Sequence, residues 1–179
     1  MTVTIRAATA ADADAIAAVY RPYVADTVIS FETEPPDGAE IANRMAAAPR
    51  LPWLVAERAG RITGYAYASA HRARAAYRWS ADVSVYLDAG ERGQGTGRAL
   101  YARLLETVRE LGYVNAYAGI TLPNPASVGL HEAMGFRPVG VYRNVGHKSG
   151  RWYDVGWWQL TLADPPPADP AEPRPWAPG

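Results

Sequence analysis

A glycine-rich turn between a predicted strand and a predicted helix offers a site for a phosphate group. The turn reads Arg92-Gly93-Gln94-Gly95-Thr96-Gly97, and the apolar periodicity from Arg98 to Leu111 predicts a helix that begins directly after it. The first turn of a helix has N–H donors without intrahelical partners and the positive end of the helix dipole. Glycines let a phosphate approach those donors without an intervening Cβ, and Arg92 can add a charged contact. The segment therefore predicts a cradle for a pyrophosphate group.

Two common nucleotide-binding patterns do not match this turn. In a dinucleotide fingerprint, Gly-x-Gly-x-x-Gly, the third glycine after Gly93 and Gly95 would stand at Arg98. A nucleoside triphosphate loop needs Gly-Lys followed by Ser or Thr, and the sequence contains no Gly-Lys pair. What remains is Arg/Gln-x-x-Gly-x-Gly, with Arg92, Gly95 and Gly97 at its defined positions. A plain connection before a helix is the alternative, so a second motif is needed.

Titratable side chains occur at two further places where they could transfer protons. Asp82 begins a predicted strand on which Asp82, Ser84 and Tyr86 share one face. Ser127 and His131 stand four residues apart on a predicted helix, so they lie on the same side of it. A carboxylate or an imidazole can take a proton from an amine or give one to a leaving group. The structural alternatives are a solvated charge at a strand end and a helix histidine bonded to Ser127 or to a backbone carbonyl.

Hydrophobic periodicity and turn residues predict the elements that position these side chains. Seven strands are predicted, at Val3–Arg6, Trp53–Glu57, Ile62–Ser69, Asp82–Leu87, Asn115–Leu122, Pro138–Asn144 and Trp152–Leu162, the last two joined by a turn at Gly146–Gly150. Four helices are predicted: from Thr9 or Asp12 through Tyr20 with an interruption at Pro22, from Asp37 or Gly38 through Met45, from Thr96 to Leu111, and from Pro125 to an end at Gly135, with Asn124 as cap. This order favours an α/β fold with a mixed sheet and helices on both faces.

The composition narrows the class of protein. The 179 residues suit one domain, and 18 basic residues balance 18 acidic ones, so no basic surface for nucleic acid is expected. The sequence has no cysteine, which excludes disulfides and a cysteine nucleophile, and its three histidines lack metal-ligand spacing, so no metal is predicted. We expect no membrane segment and a cytoplasmic location. The expected domain covers residues 1–162, and the seven prolines of residues 163–179 predict a disordered or extended tail, on which Trp176 either docks or stays loose.

Two segments together resemble the GNAT N-acetyltransferase superfamily. The turn at Arg92–Gly97 is similar to its coenzyme A loop, and residues 124–136 match Asn-x-x-(Ala/Ser)-x-x-Leu-Tyr-x-x-x-Gly-Phe with His131 at the Tyr position. The resemblance implies a GNAT fold with a central, mixed but mostly antiparallel sheet of about seven strands and helices on both faces. It also implies acetyl-CoA as co-substrate. The cofactor site that it implies comprises Val85, Tyr86, Leu87, Arg92, Gly93, Gln94, Gly95, Thr96, Gly97, Arg98, Asn124 and Ser127.

A finer resemblance extends over nearly all of residues 1–162. The segments that carry it include Phe31-Glu-Thr-Glu-Pro35, Arg72-Ala-Arg74 with Tyr77, and Asp154-Val-Gly-Trp-Trp-Gln159, in the order found in phosphinothricin and methionine sulfoximine N-acetyltransferases. That subgroup, which includes herbicide-resistance enzymes, transfers acetyl directly from acetyl-CoA to the α-amino group of a small amino acid such as phosphinothricin, methionine sulfoximine or methionine sulfone. A homodimer is also implied.

The same resemblance implies roles for single residues. Asp82 is the catalytic carboxylate, at a position where the family more often has Glu, and its shorter side chain favours a water relay. His131 acts as an acid toward sulfur or as a base toward the amine, and an amide near Val85 or Tyr86 stabilises the oxyanion. The implied substrate-binding residues are Phe31, Arg72, Arg74, Tyr77 and Ser84, although the arginines could instead form a solvated basic loop.

Other functions remain compatible with the sequence. The acceptor could be a protein N-terminus, a polyamine or an aminoglycoside, although the basic loop at Arg72–Arg78 argues against a polycationic acceptor. The chain could also be a non-catalytic acyl-CoA-binding module in which Asp82 marks a lost catalytic carboxylate.

Overall fold

The structure, a computed structural model, describes residues 2–177. Its strands are β1 (Thr4–Ala7), β2 (Trp53–Arg58), β3 (Arg61–Ala70), β4 (Ser80–Leu87), β5 (Asn115–Leu122), β6 (Arg137–Lys148) and β7 (Arg151–Thr161). Its helices are α1 (Ala13–Ala25), α2 (Gly38–Ala47), α3 (Thr96–Glu110) and α4 (Pro125–Ala133). None of the helices in this part of the chain is both long and apolar enough to cross a membrane.

All seven strands belong to one sheet in the order β1-β2-β3-β4-β5-β7-β6. Five of the six neighbouring pairs are antiparallel, and β4 and β5 alone form a parallel pair. The predicted mixed, mostly antiparallel sheet is therefore confirmed. The parallel pair is possible because α3 lies between its strands in sequence and returns the chain to the same edge.

Helices cover both faces of the sheet because the side chains of its strands alternate in direction. On β2, Trp53 and Val55 pack with α1 and α2, whereas Leu54 packs with the buried face of α3. That helix buries Leu100 and Leu104 completely, and each contributes about 1.5–3 kcal/mol relative to an exposed side chain. The two resulting cores hold the strands that carry the candidate site.

The feature of the sheet that matters for function is the divergence of β4 and β5. Their pairing covers only Ser80–Asp82 opposite Asn115–Tyr117, although each strand continues for five more residues. Over those residues β4 stays paired with β3, and β5 stays paired with β7. A cleft therefore opens between the two strands immediately after Asp82.

The structure corrects two predicted element boundaries. Pro22 does not interrupt α1, which continues to Ala25, because the burial of Val24, only 1 % exposed, holds the last turn against the core. The last hairpin turn is shorter than predicted, since β6 reaches Lys148 and only Ser149 and Gly150 connect it to β7. Both connecting residues have a positive φ, as a two-residue hairpin turn requires.

The proline-rich tail contains no helix or strand up to Ala177, yet it contacts the domain. The Arg174 N–H donates to the carbonyl of Leu111 over 2.8 Å, and the Trp176 N–H donates to the carbonyl of Arg50 over 3.1 Å. The Trp176 ring packs against the core on the α3 side of the sheet. Backbone hydrogen bonds and one aromatic ring thus hold an extended segment that has almost no aliphatic residue.

Candidate active site

The glycine-rich turn forms an open surface at the N-terminus of α3. Gly93 and Gly95 have φ values of 76° and 80°, in the left-handed region that favours glycine, and Gly95 is the N-cap of the helix. A Cβ added at either position would meet no atom within 4 Å, so the space above the backbone is free for a ligand. Arg92 and Arg98 line the same space. The turn therefore leaves open space beside two arginines, as an anion site would require.

A buried carboxylate supports this turn from below. Glu91, 6 % exposed, accepts a hydrogen bond from Arg58 over 3.0 Å and another from the Thr96 hydroxyl over 2.7 Å. The contact with Arg58 is the main cause of the lowered pKa of the Glu91 carboxyl, and the Thr96 contact adds to it. The ion pair fixes the backbone between the end of β4 and the start of α3.

The cradle opens into a cleft of about 490 Å³ that follows β4 from Leu87 to Val85. Ten of the twelve residues predicted for the cofactor site line it: Val85, Tyr86, Leu87, Arg92, Gly93, Gly95, Gly97, Arg98, Asn124 and Ser127. The other two do not line it. The Gln94 side chain turns back to the carbonyl of Gly90, and the Thr96 side chain is buried against Glu91, so neither side chain reaches the cleft.

Sequence reasoning missed other residues of the cleft, including Tyr23, Ile29, Ala126 and Leu130. The Tyr23 hydroxyl donates to the carbonyl of Leu87 over 2.6 Å and accepts from the Leu87 N–H over 3.3 Å. It thereby satisfies the exposed backbone of β4 where β5 has moved away. The apolar spacing of α1 could not distinguish this tyrosine from an ordinary core residue.

The backbone of Val85 faces the gap between the two strands. The Asp88 N–H bonds to the carbonyl of Thr63 on β3, so the even-numbered residues of β4 direct their backbone groups to β3. The backbone N–H and C=O groups of the odd-numbered residues therefore point toward β5. Leu87 bonds to Tyr23, and no side chain among the described residues bonds to the amide of Val85. Of the two amides expected near the oxyanion, that of Val85 is the one directed into the cleft.

His131 is buried, and both of its ring nitrogens have partners. Nδ1 lies 2.7 Å from the carbonyl oxygen of Ser127, and Nε2 lies 2.9 Å from the Tyr101 hydroxyl. A carbonyl oxygen can only accept, so Nδ1 carries the proton and Nε2 accepts from Tyr101. The ring borders a small cavity of about 60 Å³ together with Ser84 and Val85. The geometry matches the structural alternative named above, a helix histidine bonded to a backbone carbonyl.

The burial of His131 predicts that the free energy of unfolding falls in mild acid. Burial lowers the pKa of the imidazole below its ordinary 6.5, with the Ser127 carbonyl opposing. Between the lowered value and 6.5 the unfolded state binds more protons than the folded state, so stability is lost as the pH falls. Urea denaturation between about pH 7.5 and about pH 5.5 measures this loss.

A matched pair of variants tests that assignment. His131→Gln should flatten the dependence of unfolding free energy on pH, whereas the exposed His147→Gln should leave it as in the unmodified protein. An unaltered pH dependence in His131→Gln would show that another group causes it.

Asp82 is paired with His71, a histidine outside both sequence motifs. Nδ1 of His71 lies 2.6 Å from Oδ1 of Asp82, and the imidazole stacks on the Tyr117 ring with 4.4 Å between centroids. Burial raises the pKa of the Asp82 carboxyl, and the hydrogen bond from His71 opposes that rise. The signal was present: Ala70 pairs with Ala81 across β3 and β4, so His71 continues opposite Ser80, on the same face of the sheet as Asp82 and diagonal to it.

The residues predicted to bind the substrate are only partly brought together. Arg72 lies 5.6 Å over the ring of Trp157 and Tyr77 meets the edge of His71, so both adjoin Asp82. Ser84 lines the small cavity next to the cleft.

Two of the predicted substrate residues lie apart from that group. Phe31 packs on Gly146 and Tyr153 in the β6–β7 hairpin. Arg74 is exposed and makes no side-chain hydrogen bond within residues 2–177. Arg72 and Tyr77 are therefore the members of the predicted loop that the fold directs to Asp82.

The two candidate catalytic residues lie on opposite faces of the sheet. Asp82 shares a face of β4 with Tyr86, which packs on Tyr20 beneath α1. His131 instead packs on Tyr101 from α3, on the other face. Each therefore reaches the β4–β5 gap from its own side. Within residues 2–177, no group of three or more His, Asp or Glu side chains is arranged to hold a metal ion.

Comparison with known proteins defines the class to which this fold and cleft belong. A model of the acetyltransferase (GNAT) domain matches residues 5–157. The chain is therefore a member of the GNAT family, which confirms the superfamily predicted from the two motifs.

Within that family, relatives named for phosphinothricin and for methionine sulfoximine are similar to the chain over nearly their whole length. The chain is 40 % identical to a phosphinothricin N-acetyltransferase of Streptomyces viridochromogenes over 172 residues, which are 96 % of this chain and 94 % of the relative. It is 37 % identical to an L-methionine sulfoximine/L-methionine sulfone acetyltransferase of Pseudomonas paraeruginosa over 90 % of this chain and 96 % of the relative. A crystal structure of a phosphinothricin acetyltransferase from Sinorhizobium meliloti in complex with AcCoA superposes with a TM-score of 0.90 at 39 % identity, covering 96 % of this chain and 95 % of that one.

Proposed function

We propose that the protein transfers acetyl from acetyl-CoA to the α-amino group of a small amino acid such as phosphinothricin, methionine sulfoximine or methionine sulfone. The observation that carries the proposal is the cleft at the divergence of β4 and β5, which extends from the open glycine cradle along β4 to Val85, on the strand that also carries the partly buried carboxylate of Asp82. The similarity to enzymes named for these substrates, over nearly the whole chain, supports the same conclusion.

The cleft has the features that acetyl-CoA requires. The open backbone at Gly93 and Gly95 and the N-terminus of α3, with Arg92 and Arg98 beside them, suit the pyrophosphate. When bound, acetyl-CoA supplies the acetyl group as a thioester. The amide of Val85 points into the gap and can donate a hydrogen bond to an oxyanion. These residues hold and orient the co-substrate without a covalent step, since the sequence has no cysteine to carry an acyl group.

The acceptor site lies on the α1 side of the sheet, around Asp82. An α-ammonium group must lose a proton before its nitrogen can attack, and the carboxylate provides the negative charge that accepts or directs that proton. The planar guanidinium of Arg72, held over Trp157, suits the α-carboxylate of the acceptor. His131 is buried and neutral, so its proposed role is to line the small cavity beside Ser84 rather than to transfer the proton.

The proposal is tested by following thiol release from acetyl-CoA with purified protein. L-phosphinothricin, L-methionine sulfoximine and L-methionine sulfone should each support turnover, whereas an N-terminal peptide and a polyamine should not. Calorimetric titration with acetyl-CoA accompanies the assay. Binding without transfer to any amine would identify a non-catalytic acyl-CoA-binding module, and turnover with the peptide alone would move the acceptor to protein N-termini.

We also propose that the protein is a homodimer whose interface is formed by β6. This strand lies at the edge of the sheet and leaves Val139, Val141, Tyr142 and Val145 between 39 % and 58 % exposed. An unpaired apolar edge is a template for association, and a second copy closes it symmetrically. Sedimentation equilibrium should give twice the mass of one chain, and Val141→Glu should shift it to one chain. A monomeric unmodified protein would refute the dimer.

A cytoplasmic location is likewise proposed, because the reaction draws on the cell's acetyl-CoA. Cell fractionation followed by the thiol-release assay tests it, and activity recovered outside the cytoplasmic fraction would count against it.

A further inference from the structure

We propose that His71, held by Asp82, is the catalytic base of this enzyme and accepts the proton of the acceptor's α-ammonium at its Nε2 atom. The inference rests on the proposed acetyltransferase function and assigns its proton-transfer step to a residue outside the motifs. Asp82 then acts as the positioning residue of a carboxylate–imidazole pair.

The hydrogen bond between the two side chains fixes which nitrogen is basic. An ionised carboxylate only accepts, so the 2.6 Å contact with Oδ1 of Asp82 places the proton of neutral His71 on Nδ1. Nε2 therefore keeps its lone pair. No residue between 2 and 177 bonds to Nε2, and among those residues Trp157 Nε1 is the one fully buried side-chain polar atom without a partner. Nε2 is consequently not fully buried and can be reached by a small ligand beside Asp82.

The imidazole is also held in one orientation. It stacks on Tyr117 with an angle of 19° between the planes, while Trp157 and Tyr77 meet it edge-on at 6.1 Å and 6.0 Å. The His71 side chain is only 13 % exposed. A base whose ring is fixed on three sides does not have to be ordered when the acceptor binds.

The pair also accounts for the short carboxylate at this position. Asp82 is one methylene shorter than the Glu expected there, and its pKa is raised by burial. An imidazole bonded to the carboxylate extends the reach of the site by the width of a ring, in place of a mobile water. The charged and titratable groups that face His71 are Asp82, Arg72, Tyr77 and Tyr117.

The proton and electron balance of the step is complete without another reactant. His71 Nε2 takes one proton from the α-ammonium, and the freed nitrogen lone pair forms the bond to the acetyl carbon. The carbon–sulfur bond breaks with its electron pair on sulfur, which ends as a thiol carrying the second proton of the nitrogen. His71 then returns its proton to water.

Chemical rescue of His71→Ala distinguishes a base from a structural residue. The variant should lose about 100-fold or more in kcat with L-phosphinothricin while its affinity for acetyl-CoA stays within about twofold. Added imidazole should restore turnover in a concentration-dependent way, because the vacated space between Tyr117 and Trp157 has the shape of the missing ring. Imidazole should not stimulate Asp82→Asn, in which His71 still fills that space.

Controls separate this inference from the proposed function. His147→Ala, an exposed histidine on β6, should keep normal kcat and show no response to imidazole. If His71→Ala is poorly folded by circular dichroism, His71→Gln serves for the kinetic comparison. An unmodified enzyme that is active together with a His71 variant of normal kcat and pH profile overturns the dyad alone. An unmodified enzyme without turnover on any amino acid overturns the function itself.

Discussion

Replacing Asp82 by asparagine is expected to lower kcat for acetyl transfer by about 100-fold or more, the usual contribution of a positioned proton-transfer group. The amide keeps the size and position of the carboxylate but removes its charge. It also presents an N–H donor to Nδ1 of His71, which moves the imidazole proton to Nε2 and removes the lone pair that faces the acceptor. The loss is therefore in the chemical step.

The measurement is steady-state thiol release together with calorimetric titration of acetyl-CoA. Affinity for acetyl-CoA should stay within about twofold, because Asp82 lies outside the cleft residues of the glycine cradle. Asp169→Asn removes the same charge from an exposed position in the tail and should leave kcat unaffected. A kcat for Asp82→Asn close to that of the unmodified protein would show that the carboxylate takes no part in catalysis.

The helices and strands around the cleft could be predicted because the sequence signals for them are local. A cap and an N1 proline mark the start of α4 at Asn124 and Pro125, and the bounds predicted for β5 are those observed. The start of α3 was also predictable, because the glycine of the motif at Gly95 is the residue that adopts the left-handed conformation at the N-cap. Such signals act within a few residues and need no knowledge of the fold.

The cleft itself could not be predicted, since it depends on contacts distant in sequence. Nothing in the residues of β4 indicates that its pairing with β5 stops after Asp82, because both strands continue with the same alternation. The hydroxyl of Tyr23, which bonds to the backbone of Leu87, comes from a helix 64 residues away. Contacts between residues so distant in sequence produce no hydrophobic periodicity from which they could be predicted.

The candidate site shows the same division. His131 was selected by its motif, but its two hydrogen bonds to Ser127 and Tyr101 become visible only in the packed core. His71 was passed over because it stands outside every motif. The register of β3 and β4, which are neighbours in sequence, places it opposite Ser80 and on the same face of the sheet as Asp82. The proximity of His71 and Asp82 is therefore a consequence of strand pairing rather than of a sequence motif.

Replacing Gly95 by valine is expected to raise the dissociation constant of acetyl-CoA by about tenfold or more. Gly95 has a φ of 80°, a conformation that costs a residue with a Cβ about 1–2 kcal/mol. If the turn of the variant relaxes to another conformation, acetyl-CoA binding must restore it, and this cost corresponds to roughly a tenfold loss of affinity. The branched side chain would also occupy the open space above the amides at the start of α3. Calorimetric titration of the variant with acetyl-CoA measures the effect.

Gly60→Val is the matched control, because it introduces the same backbone strain without changing the surface proposed to bind acetyl-CoA. Gly60 has a φ of 75° and open space around its Cβ position, but it lies in the β2–β3 turn, outside the residues of the cleft. Both variants should therefore lose a similar free energy of unfolding, whereas acetyl-CoA affinity should fall in Gly95→Val alone. Equal affinities would mean that the cofactor does not contact this turn. Because Asp82 lies beyond the cradle, kcat at saturating acetyl-CoA should recover in Gly95→Val, in contrast to the loss expected for Asp82→Asn.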